Sequence, residues 1–166
     1  MYIRTLNIHM AEQSAITRAL LDAISARSAD APTHEAPAAA APLASMPRIG
    51  EPWPGIDDSA YAGLSRGEVG QPDMHLVLLP DEPTDKLNWQ AAQDWARRIG
   101  GQLPTRDESA LLYAHLRDKI DSSGWYWTST QYSAGYAWGQ YFSHGGQHDS
   151  SKWDEARARA VRRFEA

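Results

Sequence analysis

The chain has 166 residues, enough for one ordinary domain with an extension, and its 42% hydrophobic and 22% charged residues exclude both a disordered and a membrane-embedded chain. A formal net charge of -5 argues against a general nucleic-acid binder, which needs a basic face to neutralise phosphates. The absence of cysteine removes disulfide scaffolds, thiolate zinc sites and cysteine nucleophiles together.

No apolar run approaches the roughly 18 residues of a membrane span, so no membrane insertion is expected. Met1 to Met10 lacks the basic start and unbroken apolar core of a secretory signal, which predicts synthesis in the cytoplasm. Tyr2 to Met10 alternates weakly, as a short strand or arm would. From Ala11 to about Arg27 the pattern turns helical, with Ile16, Leu20, Ala23 and Ile24 on one narrow apolar stripe. Such a stripe cannot make a core alone; it suits docking on a partner, self-association, or lying against its own domain. Ser28 to Pro54 is a linker by composition, holding six of the ten prolines around the run Ala38 to Ala41. The expected organisation is therefore an arm at 1–27, a Pro/Ala-rich linker at 28–54 and a folded domain at 55–166.

Within that domain, Tyr61 to Arg66 and Met74 to Leu79 flank the polar stretch Gly67 to Asp73 and predict a hairpin with the second strand more buried. Asn88 can cap a helix from Trp89 to about Ile99, with Leu87, Ala91, Trp95 and Ile99 along one face and Gly100-Gly101 ending it. Thr105-Arg106-Asp107-Glu108 has the spacing of a capping box, which opens a second helix to about Lys119 burying Leu111, Leu112 and Leu116. That capping duty, and the divergence of adjacent helix positions, argue against Asp107 and Glu108 as a catalytic pair. Arg157 to Phe164 fits a helix or a strand; its alternating start and the need to close a sheet favour the strand, with its arginines solvated or paired with Asp107, Glu108 or a partner surface.

The stretch from Gly124 to Asp149 stands out. It interleaves Trp125, Tyr126, Trp127, Tyr132, Tyr136, Trp138 and Tyr141 with Ser, Thr, Gly, Gln and His rather than with aliphatics. In strands, one half of these rings packs inward and the other half faces out; large flat rings beside adaptable polar groups are the composition of a recognition surface. Trp125, Tyr132, Tyr136, Trp138, Gln140, Tyr141, His144, Gln147, His148 and Asp149 are the candidate ligand-binding residues. Filling the domain centre is the other use of the same rings.

Trp89-Gln90-Ala91-Ala92-Gln93-Asp94-Trp95-Ala96, Gly101-Gln102-Leu103-Pro104-Thr105-Arg106-Asp107-Glu108, Trp125-Tyr126-Trp127-Thr128-Ser129-Thr130, Ala137-Trp138, Phe142, Gly145 and Arg159-Ala160-Val161-Arg162 together resemble a domain of unknown function. That family occurs in bacterial adhesins and in phage or prophage proteins and is similar to the C-type-lectin-like fold. The resemblance covers roughly residues 48 to 164. It implies an α+β domain with two helices on a small twisted antiparallel sheet and a ligand surface on the late strands and loops. Formylglycine-generating enzymes share that fold, but their active-site cysteines are missing here; the variable receptor-binding proteins of phages agree better. Gln71-Pro72-Asp73 matches a calcium and sugar motif of true C-type lectins by letters alone, since no Trp-Asn-Asp partner follows, and reads as a turn.

The resulting expectation is a non-enzymatic phage or prophage virion protein without cofactor, attached to other virion subunits by Ile16, Leu20 and Ile24. Its lectin-like module would bind a host-surface glycan or protein, as a trimer or another oligomer. Two alternatives stand beside it: a structural decoration protein whose arm is the working part, and a metal-dependent enzyme using His144, His148 and Asp149 with His75 or His115, which needs three or more converging ligands.

Overall fold

The computed structural model describes residues 46–166. The expected arm with Ile16, Leu20 and Ile24, and the linker as far as residue 45, lie outside the described residues.

The chain forms β1 (Ala60–Ser65), β2 (Met74–Leu78), α1 (Trp89–Arg98), α2 (Arg106–Leu116), a 3-10 turn (Arg117–Lys119), β3 (Trp125–Gln131), β4 (Tyr136–Tyr141), β5 (Gln147–Ser151) and β6 (Val161–Glu165). The strands make two antiparallel three-stranded sheets, ordered β1-β2-β6 and β3-β4-β5. This corrects the α+β, C-type-lectin-like expectation of two helices on one small sheet: among the described residues the domain is strand-rich. The late strands do not extend the first sheet. The Trp127 N–H goes instead to the Arg157 carbonyl at 3.0 Å, and the Arg157 N–H to the Trp125 carbonyl at 3.1 Å, so an isolated stretch closes β3 on that side.

That stretch is the seam of the molecule. Ala156 pairs with Leu87, Arg157 with Tyr126 in β3, and Val161 with Gln102, so residues 156–161 touch both sheets before becoming β6. Ala156, Ala158 and Ala160 are all buried as alternation requires, although Arg159 and Val161 are buried too. The strand expected from Arg157 onwards nevertheless begins only at Val161.

Local chemistry sets the helices. Asn88 Oδ1 accepts the Ala91 N–H at 2.9 Å to start α1, and Gly100, at φ +77°, ends it in a conformation that side chains disfavour. The buried stripe of α1 is Trp89, Ala92, Trp95 and Ala96; the expected Leu87, Ala91 and Ile99 are only half-buried. The expected Trp95 is buried, and Leu87 and Ile99 pack against the same cluster from its edge; the Trp89 indole N–H reaches the Thr128 carbonyl at 2.8 Å, which ties the start of the helix to β3. The capping box is present on α2, with Thr105 Oγ1 accepting the Glu108 N–H at 3.2 Å and Glu108 Oε2 accepting the Thr105 N–H at 2.7 Å. Glu108 is 5% exposed, and both carboxylate oxygens also accept from Arg163 at 2.6 Å, which ties α2 to β6.

Two apolar clusters result. Trp89, Trp95, Leu103 and Trp127 pack with small alanines around α1, and Leu76, Leu78, Leu112, Leu116, Tyr126, Phe142 and Val161 pack around α2. Each such side chain stabilises the fold by about 1.5–3 kcal/mol on burial. On the first sheet's other face Trp53 stacks on Phe164 at 4.9 Å and lies over Tyr61 and His75, which holds the incoming segment against β1.

Candidate functional site

Strand alternation and register decide where the candidate side chains go. In β3-β4-β5, Trp125 faces Tyr141 and Trp127 faces Gly139, which in turn faces His148; Tyr126 faces Gln140, Gln140 faces Gln147, and Trp138 faces Asp149. Partners across an antiparallel pair share a face and neighbours along a strand do not. The sequence-predicted residues therefore divide between the two faces of one sheet instead of forming one surface.

One face carries Trp125, Tyr141 and His148, with His144 from the following turn. Trp125 lies edge-on to the buried Trp127 at 4.4 Å and stacks near His148 at 6.1 Å. Tyr141 sits 5.1 Å from His148 and 5.3 Å from His144, whose Nδ1 is 2.8 Å from Ser143 Oγ. Gly139 makes this row possible, since a Cβ there would stand inside 3.0 Å of the Trp125 ring.

The other face holds Tyr132, Tyr136, Trp138, Gln140, Gln147 and Asp149, and geometry here is richer. Gln140 is 1% exposed, which corrects its assignment as a ligand contact: its Oε1 accepts from Gln147 Nε2 at 2.6 Å. Gln147 is a scaffold as well. It donates to the Arg106 carbonyl at 2.8 Å and accepts from Arg106 Nε at 2.9 Å. The Arg106 N–H is fixed on Thr130 Oγ1 at 2.9 Å, and the guanidinium stacks on Trp138 with 3.6 Å to the ring centre. Tyr132 meets the same indole edge-on at 5.6 Å. Tyr132 and Tyr136 remain 60% and 47% exposed, and Asp149 is half-buried beside Trp138.

This is a preorganised platform. Aromatic faces offer contact to apolar C–H surface, Arg106 offers donors from a fixed plane, and Asp149 offers acceptors. Arg106 went unread in the sequence, where it stands between the capping residues Thr105 and Glu108 without a role of its own; no local signal links it to Trp138. Trp153, 85% exposed in the turn after β5, was missed as a lone aromatic in a polar stretch.

The metal constellation does not assemble. His148 and Asp149 are strand neighbours and face opposite sides, and among the described residues no group of three or more His, Cys, Asp or Glu could hold a metal ion. Among the described residues no helix is long and apolar enough to cross a membrane. No protein-family model matches the chain, and a comparison with curated proteins likewise finds no match.

Proposed function

We propose that the chain is a non-enzymatic phage virion protein whose described domain binds a host-surface glycan or glycoprotein through the platform of Tyr132, Tyr136, Trp138, Arg106 and Asp149. The observation that carries this reading is the Arg106 guanidinium, pinned by Gln147 and stacked on Trp138 beside two tyrosines that stay exposed. Core rings are covered; here Trp138 carries the Arg106 guanidinium and the edge of Tyr132, while Tyr132 and Tyr136 stay exposed. Tyr and Trp on such a support are the residue types that dominate binding hot spots.

The test uses the full chain with Tyr132 and Tyr136 each replaced by alanine, both exposed enough to leave the fold intact. Adsorption of the purified protein to host cells is expected to weaken by about 2 kcal/mol, roughly thirtyfold, for a hot-spot tyrosine. Unchanged adsorption in both variants would refute the platform. Mass spectrometry of purified particles is expected to find the chain in stoichiometric copies; its accumulation in cells but not in particles would refute the virion assignment.

A further inference from the structure

The turn after β5, the start of α1 and the β3-β4 hairpin tip enclose a second concavity. It is an open groove of about 620 Å³, walled by Trp153, floored by Trp89 and Lys152, and edged by Gln90, Asp94 and Ala134. Trp153 projects into solvent at 85% exposure, yet its turn is not loose. The Lys152 N–H bonds to the Gly135 carbonyl at 2.9 Å, the Asp154 N–H to the Ser151 carbonyl at 2.9 Å, and the Trp89 N–H to the Lys152 carbonyl at 3.2 Å. The indole itself lies exposed along the groove, its face open for a ligand to cover.

The polar groups say what. Lys152 Nζ donates to Gln131 Oε1 at 2.6 Å, to the Ala134 carbonyl at 2.9 Å and to the Ser133 carbonyl at 3.1 Å, and lies 4.4 Å from the Trp89 ring centre. Its three donors are engaged, so the groove offers no free cation to an anionic ligand. What remains open is the Asp94 carboxylate, hydrogen-bonded first by Arg97 and then by Gln90, and held by them below the usual carboxylate range. It is ionised at neutral pH and keeps lone pairs for further donors. Main-chain groups around the groove are already paired: Trp89 N–H, Ala91 N–H, and the Ser133 and Ala134 carbonyls. An extended peptide would find little backbone to bond with. A pyranose ring meets all of these conditions, with a C–H face for the indole and hydroxyl donors at its edge for a carboxylate and an amide.

We infer that the groove between Trp153 and the first turns of α1 is a binding site for a neutral saccharide, with Trp153 as stacking face and Asp94 as hydroxyl acceptor. It is a separate site from the platform and stands or falls independently of it.

The experiment titrates the full chain with maltohexaose, cellohexaose and chitohexaose, and with an oligogalacturonate as the acidic comparison, following the Trp153 indole N–H by NMR after assignment with W153F. At least one neutral oligosaccharide is expected to shift that signal to saturation with millimolar affinity, and D94A is expected to weaken it about tenfold. The acidic oligosaccharide is expected to leave the signal in place, and Y132A to leave the binding unchanged. No saturable shift with any neutral oligosaccharide overturns the proposal, as does equal binding of the acidic one. Loss of the same binding in Y132A would move the saccharide to the platform and overturn the groove. Adsorption to enzymatically deglycosylated host cells that W153A abolishes would make the groove a protein contact and overturn the saccharide assignment.

Discussion

Gly139→Ala is the sharpest probe of the second sheet, because the backbone there tolerates alanine and the space does not. A Cβ at this position would stand inside 3.0 Å of two carbons of the Trp125 ring and 3.2 Å from the Tyr126 carbonyl. The carbonyl contact is a matter of tenths of an ångström; the indole must swing away. Doing so removes its edge contact with Trp127 at 4.4 Å and its stacking near His148. Overpacking of this kind costs about 1–3 kcal/mol, and an aromatic pair adds about 0.5–1.5 kcal/mol, so G139A should destabilise the domain by about 2 kcal/mol. In a W125A background the clash is gone, and the reduced entropy of the unfolded chain should make the same change stabilising by about 0.5 kcal/mol. The difference, a coupling of about 2.5 kcal/mol, is what a double-mutant cycle in urea measures through tryptophan fluorescence. Equal costs of G139A in both backgrounds would refute the argument that Trp125 occupies the space Gly139 leaves.

Two further outcomes follow from the buried polar groups. E108Q leaves the Arg163 guanidinium facing an amide and should cost about 3 kcal/mol in urea denaturation, the lower end of the range for a broken buried pair because Arg163 is partly exposed; E108Q combined with R163M should recover more than half, and no recovery would refute the pairing as the cause. Burial, followed by the negative charge of Glu82, pushes the Tyr126 phenol up to about 12 from 10.0. The folded state keeps that proton where the unfolded state releases it, so its stabilising contribution is complete below pH 10 and is lost as pH rises toward about 12. Stability of the wild type should therefore fall across this window more steeply than that of Y126F, by up to about 1.4 kcal/mol per pH unit. Parallel curves would refute it.

The features legible in the sequence are those written within a few residues. Asn88, Gly100 and the Thr105–Glu108 box mark helix ends because each closes a bond three or four positions away, and the β1-β2 hairpin shows in two strand-like stretches either side of a polar turn. What the sequence hid depends on long-range choices. The face α1 buries keeps Trp95 of the expected stripe, but Trp89, bonded to Thr128 39 residues away, and Ala92 and Ala96 lie outside that spacing. The division into two sheets rests on Arg157 taking the bonds of β3 that another strand would need. The aromatic block announced itself, but the side each ring takes follows from a register that only the folded pairing defines, and a shift of one residue exchanges the faces. Gln140 read as a polar surface residue and is instead the buried anchor of Gln147.

Lys152 has a consequence for how this domain tolerates change. By gripping the Ser133 and Ala134 carbonyls and the Gln131 side-chain amide from the turn after β5, it braces the hairpin tip without calling on the side chains of Tyr132, Ser133, Ala134 or Tyr136. The tip thus separates shape from chemistry. Its backbone is set by main-chain bonds among Tyr132, Ser133 and Tyr136 and by the grip of Lys152, so its exposed side chains can be exchanged as a set without re-solving the fold, whereas loss of the lysine would remove three of the bonds that brace it.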